Sequence, residues 1–298
     1  MFALLFVLLA QSPAPRSLPG TSSVAQEQAA AEPRRGAYVA KFERLHRQGE
    51  RRHVLERLGF SRKLVAKEDL SKGLVKLERH DFRVSVPLGY NSAKPAGLVV
   101  WMDPTDAGQL PKEWLAVLEQ RNLIAVAPSG AGNSRYAWNR AALALAAVRG
   151  MSEAYAIDPR RVYAAGFSGG GRMASRLSLA WPDVFTGGLA AAGAAFYESL
   201  DDPRRPGHSW PARLKQPPAR LLRMARKSSR FVMLVGSEDK NQQLCRSLAE
   251  HMAKSAGFLH VTYLEQPRKG HEVPSSTWLR RAVDALDAPL GLDWTEED

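Results

Sequence analysis

One serine in the sequence stands in a pattern that supports nucleophilic chemistry. Gly166-Phe167-Ser168-Gly169-Gly170 matches the motif G-x-S-x-G and separates an apolar run from a stretch with helical spacing. A serine at such a sharp strand-to-helix turn holds its hydroxyl above the edge of a sheet, and the flanking glycines avoid collisions across the turn. The free N–H groups at the start of the helix stabilise developing negative charge. Ser168 is therefore the candidate nucleophile.

A nucleophilic serine needs an acid and a histidine later in the chain, each behind a late strand. Asp239 follows the apolar run 231–236 closely, and His271 lies in the loop behind the last apolar run. Ser168, Asp239 and His271 are thus predicted to form a catalytic triad, in which the histidine takes the serine proton and the aspartate orients the imidazole. Glu238 is the alternative acid, but the shorter carboxylate at the loop tip fits this role better.

Stabilisation of a tetrahedral intermediate needs N–H groups beside the nucleophile, an arrangement called an oxyanion hole. Gly169 can supply one of them from the start of the predicted helix. The second is expected behind the strand 97–102, where the turn contains Pro104, which has no N–H. The amide of Thr105 is therefore the predicted second donor, and a plain turn is the alternative interpretation.

Four aromatic residues are candidates for the walls of a substrate site, although aromatic side chains more often serve in ordinary packing. These predicted substrate-binding residues are Tyr136, Trp138, Phe196 and Tyr197. The segment between Ala195 and Arg230 is short for a separate lid, which favours an open cleft with a short cap region.

Short apolar runs alternate with longer helical stretches from residue 74 onward. This alternation predicts an α/β domain with a parallel sheet that is covered on both faces, behind two antiparallel opening strands. The predicted strands are 74–77, 81–87, 97–102, 123–127, 161–167, 187–195, 231–236 and 259–264, and the predicted helices are 111–121, 139–156, 169–180, 219–227, 241–256 and 275–286.

These motifs together resemble those of a known superfamily. The stretch 158–173 resembles α/β-hydrolases of the polyhydroxybutyrate depolymerase and feruloyl esterase group, and the segments 236–239 and 270–271 are similar to that group's acid and histidine positions. The resemblance covers about residues 80–290. It implies the α/β-hydrolase fold and serine esterase chemistry on short acyl, aryl or hydroxyalkanoate esters. Many relatives carry His-Gly where this chain has Asp103-Pro104, and this difference leaves the identity of the second oxyanion donor undecided.

The N-terminal quarter differs in composition from the rest. Residues 1–14 contain a ten-residue apolar run and are interpreted as a possible signal segment with an atypical start, which predicts a secreted or periplasmic protein. Residues 15–36 are rich in Pro, Ala, Ser and Gln and are interpreted as a flexible linker. Residues 37–73 are interpreted as a basic helical extension and residues 74–298 as the catalytic domain.

Composition limits the other functions. The chain has 298 residues, a net charge of +12 and one cysteine, Cys245, which excludes an intramolecular disulfide framework and a cysteine-based zinc site. No cofactor, metal ion, nucleic acid or membrane span is expected, and the predicted partner is a small-molecule or polymer ester. A serine peptidase of the same fold and a catalytically silent scaffold that binds a partner through its basic surface are the alternatives. The oligomeric state is left open.

Overall fold

A mostly parallel sheet of eight strands forms the centre of the computed structural model, which describes residues 33–60, 63, 65 and 75–290. Two further strands of two residues each, Leu200–Asp201 and Ser209–Trp210, pair with each other outside this sheet. The strands are β1 (Gly36–Ala40), β2 (Phe82–Val86), β3 (Ala96–Met102), β4 (Leu123–Pro128), β5 (Ile157–Phe167), β6 (Gly187–Ala191), β7 (Leu200–Asp201), β8 (Ser209–Trp210), β9 (Arg230–Gly236) and β10 (Val261–Gln266).

The sheet has the order β1-β2-β4-β3-β5-β6-β9-β10, and only β2 runs against the direction of the others. The chain passes from β3 to β4 on one side and then returns to place β5 on the other side of β3. In open α/β sheets, ligand sites lie at the carboxyl ends of the strands near such a reversal. The fold therefore directs attention to the loops that follow β3 and β5.

Helices cover both faces of the sheet. They are α1 (Arg51–Arg57), α2 (Leu115–Gln120), α3 (Ala137–Ala154), α4 (Gly169–Ala180), α5 (Ala219–Ser228), α6 (Gln242–Lys254) and α7 (Ser276–Asp287). Alternate residues of β3 point to opposite faces, so that Leu98 and Val100 pack with α3 and α4. Val99 and Trp101 pack on the other face with α2 and α7. The helices α5 and α6 continue the first layer over β6 and β9.

The prediction of a helix from Ala37 onward is wrong for its first residues. Gly36–Ala40 is the edge strand β1, paired antiparallel with β2, and its side chains alternate between half-buried and exposed. The helical pattern arose because the strand is short and is followed by further spaced apolar residues. Helix is present in this region at Arg51–Arg57, and the chain from Arg34 groups with the sheet in one compact unit.

The structure also bears on the predicted strand 74–77 and on the segments predicted before residue 36. The predicted strand 74–77 is wrong where the structure describes it, because Leu77 begins a short 3-10 turn, Leu77–Arg79. The partner that β2 needed is β1 instead. The predicted signal segment 1–14 and the predicted linker up to residue 32 lie outside the described residues. Within the described part of the chain, no helix has the length and apolar character needed to cross a membrane.

Candidate active site

Ser168 occupies a strained turn between β5 and α4. Its backbone lies at φ 55° and ψ −115°, a conformation that costs a non-glycine residue about 1–3 kcal/mol. The turn is tight because a Cβ on Gly170 would collide with the carbonyl of Met102 at the end of β3. The Ser168 amide donates to the Ala191 carbonyl at 2.8 Å, which ties the turn to the end of β6. The serine side chain is therefore presented at the carboxyl edge of the sheet.

The structure brings His271 and Asp239 to this serine. His271 Nε2 lies 2.9 Å from Ser168 Oγ, and His271 Nδ1 lies 2.9 Å from Asp239 Oδ2. The Asp239 side chain is fully buried, whereas the imidazole keeps 27% of its surface exposed. The alternative acid, Glu238, has an exposed side chain. The three side chains form one hydrogen-bonded series with the geometry that a serine nucleophile, a base and an orienting acid require.

Both oxygens of the Asp239 carboxylate have a hydrogen-bond partner. The amide of Asn241 donates to Asp239 Oδ1 at 2.7 Å, while Oδ2 faces the imidazole. On the other side of the ring, Phe167 contacts His271 with a centroid distance of 4.9 Å. Because both partners restrict rotation, the imidazole is fixed between an acid and an aromatic wall. This arrangement favours the tautomer with a proton on Nδ1 and a free Nε2 that accepts from the serine.

Thr105 is not available as the predicted second oxyanion donor. Its amide donates to Asp103 Oδ1 at 2.8 Å, and its hydroxyl donates to the same oxygen at 3.0 Å. Asp103 is buried, and its other oxygen accepts from the amide of Gln109 at 2.6 Å. The carboxylate therefore organises the turn behind β3 and uses the amide that the sequence assigned to the oxyanion. Gly169, by contrast, is buried at the first position of α4, where helix N–H groups have no partner within the helix.

Asn133 lies beside Gly169, and the sequence analysis missed it. A Cβ on Gly169 would collide with the Asn133 side chain, with Oδ1 nearest and Nδ2 2.6 Å away. The Asn133 amide donates to the Pro104 carbonyl at 2.9 Å, which joins this loop to the turn behind β3. The same two loops are joined again by Asp106, which accepts from the amide of Gly132 at 2.9 Å. No sequence motif marks Asn133, because the loop between β4 and α3 reaches Gly169 through tertiary contacts alone.

A buried cation lies beneath the turn. Arg140 on α3 is 4% exposed, and its Nη2 donates to the Gly169 carbonyl at 3.3 Å. Burial and, to a smaller extent, the nearby charge of Arg176 lower the pKa of Arg140 to about 10, while the charge of Asp106 opposes both effects. The contact fixes the first peptide of α4 and places positive charge behind it.

The four predicted wall residues separate into two groups. Tyr136 and Trp138 stack on each other at 4.3 Å between centroids, with Tyr136 66% exposed and Trp138 packed toward the Arg51 side. Phe196 and Tyr197 are buried together behind β6, and the Tyr197 hydroxyl accepts from Arg226. Of the four residues, only Phe196 lines the cavity whose wall also includes Arg172 and Asn241.

Other reactive groups in the described part of the chain do not form a competing centre. No group of three or more His, Cys, Asp or Glu side chains there is arranged to hold a metal ion. Cys245 lies on the buried face of α6, and this burial raises the pKa of its thiol to about 12. A thiol with such a pKa is protonated at neutral pH and has little nucleophilic character. Ser168 with its imidazole neighbour is therefore the candidate reactive group of these residues.

The fold around this site is the α/β-hydrolase fold. A mostly parallel sheet flanked by helices carries a serine on a strained strand-to-helix turn, followed in the chain by an aspartate and a histidine at the same edge. The predicted fold class, a mostly parallel central sheet with helices on both faces, is confirmed. The sequence matches no protein-family model and no curated protein sequence.

Solved structures with a similar fold include esterases and peptidases. The feruloyl esterase module from Clostridium thermocellum, complexed with sinapinate, has 16% identity and a TM-score of 0.49, with 69% of this chain and 81% of that chain covered. S-formylglutathione hydrolase from Staphylococcus aureus has 14% identity and a TM-score of 0.48, with 68% and 89% covered. A puromycin-hydrolyzing peptidase from Mycobacterium tuberculosis has 15% identity and a TM-score of 0.46, with 69% of this chain covered. The chain spans 36% of that peptidase.

Proposed function

We propose that this protein is a serine hydrolase that cleaves carboxylic esters through an acyl-enzyme intermediate. The observation that carries the proposal is the hydrogen-bonded series from Ser168 Oγ through His271 to Asp239, with both links at 2.9 Å. Each group has the surroundings that its role needs. The serine is half-buried at a strained turn, the imidazole is partly exposed, and the carboxylate is enclosed.

The first half of the proposed reaction forms a covalent intermediate. His271 Nε2 takes the Ser168 hydroxyl proton while Oγ attacks the ester carbonyl carbon. Asp239 holds the imidazole through Nδ1 and stabilises the positive charge that the ring acquires. The tetrahedral intermediate collapses as His271 returns the proton to the departing alkoxide. The products of this step are the free alcohol and an acyl group bound to Ser168.

The second half releases the acid. A water molecule loses a proton to His271 Nε2 as its oxygen attacks the acyl carbonyl carbon. The second tetrahedral intermediate expels Ser168 Oγ, which recovers the proton from the imidazolium. The carboxylic acid leaves and the starting state of the three side chains is restored. Only the ester and one water molecule are consumed in the complete cycle.

In this proposal the oxyanion is stabilised by the Gly169 amide and the Asn133 side-chain amide. Pro104 has no N–H, and the Thr105 amide is already bonded to Asp103. The Asn133 side chain lies against Gly169, with Oδ1 nearest and Nδ2 at 2.6 Å from the position of a Cβ on that glycine, so its amide group stands next to the Gly169 backbone. A side-chain amide in an oxyanion hole contributes about 3 kcal/mol to the transition state.

The proposed substrates are esters with a short acyl, aryl or hydroxyalkanoate part, either as small molecules or at the surface of a polymer. The support is the modest cavity near the start of α4, about 210 Å³ and lined in part by Arg172, and the short segment that borders it. In the described part of the chain, that segment contributes only the two-residue strands β7 and β8 and the helix α5 before β9 begins.

A direct test combines turnover with covalent labelling. The purified protein is assayed with 4-nitrophenyl acetate and butyrate and is treated with a fluorophosphonate probe, which reacts only with an activated serine. We expect turnover and a single labelled peptide containing Ser168, both of which are lost in Ser168→Ala. The control is Ser175→Ala, which removes a hydroxyl on the same helix that bonds to the Gly171 carbonyl. Equal turnover in the wild type and Ser168→Ala would refute the proposal.

A secreted or periplasmic location is also part of the proposal, and it rests on the apolar run at the start of the sequence. The test is expression of the full chain in a bacterium that has a periplasm, followed by fractionation and N-terminal sequencing. Recovery outside the cytoplasm with a shortened N-terminus is expected. Recovery in the cytoplasm with the N-terminus intact would refute this part while leaving the reaction untouched.

A further inference from the structure

A cavity of about 210 Å³ is lined by residues that follow two of the proposed triad members closely in the chain. Two of its wall residues are close neighbours of triad members in the chain: Arg172 lies one helical turn after Ser168, and Asn241 lies two residues after Asp239. Asn241 Nδ2 also donates to the Ala192 carbonyl at 2.9 Å, in the loop that touches Ser168. The triad side chains themselves do not line the cavity, so a substrate held at Ser168 reaches it through the part that extends past Arg172 and Asn241.

The cavity wall carries two guanidinium groups. Arg172 reaches it from α4 and Arg213 from the segment between β8 and α5. Among the described residues, neither guanidinium has an acidic partner. Arg213 is exposed and Arg172 is half-buried, so both guanidinium groups keep contact with solvent. These two cations are therefore available to a ligand.

A third arginine stands behind the other two. Arg176 Nη2 donates to the Arg213 carbonyl at 2.5 Å, which fixes the segment that carries Arg213. Burial lowers the pKa of Arg176, and the charges of Arg172 and Arg213 lower it further. The three cations thus repel one another, and an anion placed between them would relieve this repulsion.

The one carboxylate on the cavity wall is already engaged. Glu198 Oε2 lies 2.6 Å from His251 Nε2, on the side of the cavity formed by α6. The rest of the wall is mainly apolar and includes Phe196, Trp210 and Leu248. The cavity wall therefore combines apolar side chains with cationic groups. Such a wall suits a ligand with a short chain or an aromatic ring that ends in an anion.

We propose that this cavity binds a carboxylate of the substrate, so that the preferred substrates are esters with a second, ionised acid group. The inference rests on the proposed ester hydrolysis at Ser168. The ionised group belongs either to the acyl part or to the alcohol part of the ester. Arginine binds carboxylates through paired, charge-assisted hydrogen bonds, which add to both affinity and geometric specificity.

The test compares anionic esters with neutral esters of the same shape. For the acyl part, mono-4-nitrophenyl adipate is compared with its neutral terminal amide. For the alcohol part, 4-acetoxybenzoate is compared with 4-acetoxybenzamide. The measured quantity is the ratio of kcat/KM for the anionic ester to kcat/KM for the neutral ester. In at least one pair we expect a ratio of about 10 to 100 in the wild type. A factor of this size corresponds to the contribution of one hydrogen bond between charged groups.

Two variants and a control locate the effect. Arg172→Gln and Arg213→Gln are each expected to bring the ratio toward unity, and added salt to lower it in the wild type. Arg220→Gln removes an exposed arginine that does not line the cavity and should keep the wild-type ratio. A ratio at or below unity in both pairs, with neutral esters still cleaved, would overturn the inference and leave the proposed function intact. So would a high ratio that neither variant changes.

Binding without turnover separates this inference from the proposed function. Adipate and 4-hydroxybenzoate are titrated calorimetrically into the wild type, with adipamide and 4-hydroxybenzamide as the neutral comparisons. Binding of at least one anion, with affinity at least tenfold weaker in Arg172→Gln, is expected even if no ester is cleaved. Equal or absent binding of anions and amides would overturn the inference.

Discussion

The backbone of Gly236, at the carboxyl end of β9, packs directly against the carbonyl of Lys269 in the loop that carries His271. A Cβ on Gly236 would lie closer than 3.0 Å to that carbonyl oxygen, a distance that real side chains do not show. The Glu238 amide donates to the same carbonyl at 2.9 Å. The loop with the proposed acid and the loop with the proposed base are therefore joined backbone to backbone, which sets the distance between their side chains.

This contact predicts that Gly236→Ala impairs the reaction without touching any reacting group. The methyl group forces the Lys269 loop outward, and a displacement of about 1 Å at His271 is expected to lower kcat/KM by up to about 100-fold. The measurement is hydrolysis of 4-nitrophenyl acetate together with the thermal midpoint of unfolding. Gly270→Ala is the matched control in the same loop, since an added Cβ there meets nothing within 4 Å. Equal activities for the two variants would contradict the prediction.

The order of Ser168, Asp239 and His271 is predictable from sequence for a simple reason. Carboxyl ends of parallel strands meet at one edge of a sheet, so a residue just behind each apolar run is placed there whatever the loop does in detail. The same reasoning locates most strands and helices to within a few residues. It does so because each buried strand or helix has to carry its own apolar periodicity.

The failures arise where a contact has no local signal. Thr105 was predicted from its distance to the strand end, but the Asp103 carboxylate competes for its amide. Asn133 has no motif because its position depends on contacts between two loops. The strand Gly36–Ala40 was read as helix because five alternating residues are too few to separate a period of two from a period of 3.6.

Asn133 is predicted to act on the transition state rather than on ground-state binding. Asn133→Ala removes the proposed donor, and Asn133→Asp replaces it with a negative charge that repels the oxyanion. We expect kcat to fall by about 100- to 1000-fold in both variants, with KM changed much less, since the contact strengthens as charge develops. Steady-state kinetics with 4-nitrophenyl butyrate measures both constants.

Ser134→Ala is the control for the Asn133 variants, because it changes the next, exposed residue of the same loop. Its kinetic constants should stay within about twofold of the wild type, as expected of a surface substitution. If Asn133→Asp retained wild-type kcat, the side-chain amide would have no part in stabilising the oxyanion. Gly169 would then remain as the proposed donor.

Asp287, the last residue of α7, is predicted to stabilise the fold by holding this helix to the central strand β5. It accepts from Arg161 at 2.9 and 2.8 Å and from the Tyr163 hydroxyl at 2.7 Å, with both ionic side chains largely buried. Asp287→Ala removes the carboxylate that balances the Arg161 charge and leaves Arg161 and Tyr163 with backbone carbonyl acceptors alone, so it should lower the free energy of unfolding by about 2–3 kcal/mol. Asp284 lies on the same helix as Asp287 and pairs with Arg121 in a more exposed position. Asp284→Ala breaks this pair and should lower the free energy of unfolding by less than about 1 kcal/mol. Urea denaturation of both variants tests the difference, and equal losses would contradict it.

Glu265 on β10 is predicted to make stability depend on pH in the acid range. Burial raises the pKa of this carboxyl, but hydrogen bonds from Tyr263, Gln242 and Arg246 outweigh this effect and lower the pKa from 4.5 to about 2. The bonds have lengths of 2.5, 2.7 and 2.7 Å. Because the folded protein holds the ionised form more strongly than the unfolded chain does, the stabilisation is present above pH 4.5 and is lost as the pH falls toward 2.

The Glu265→Gln variant tests this dependence, because glutamine has nearly the same shape and carries no charge. At pH 7 the wild type should be the more stable protein in urea denaturation, and its advantage should shrink steadily between pH 4.5 and 2. Glu113→Gln is the control at an exposed position, and its difference from the wild type should not follow pH in this way. A difference between the wild type and Glu265→Gln that stayed constant from pH 7 to the acid end would mean that the carboxylate charge contributes nothing. The neutral hydrogen bonds would then account for the contact.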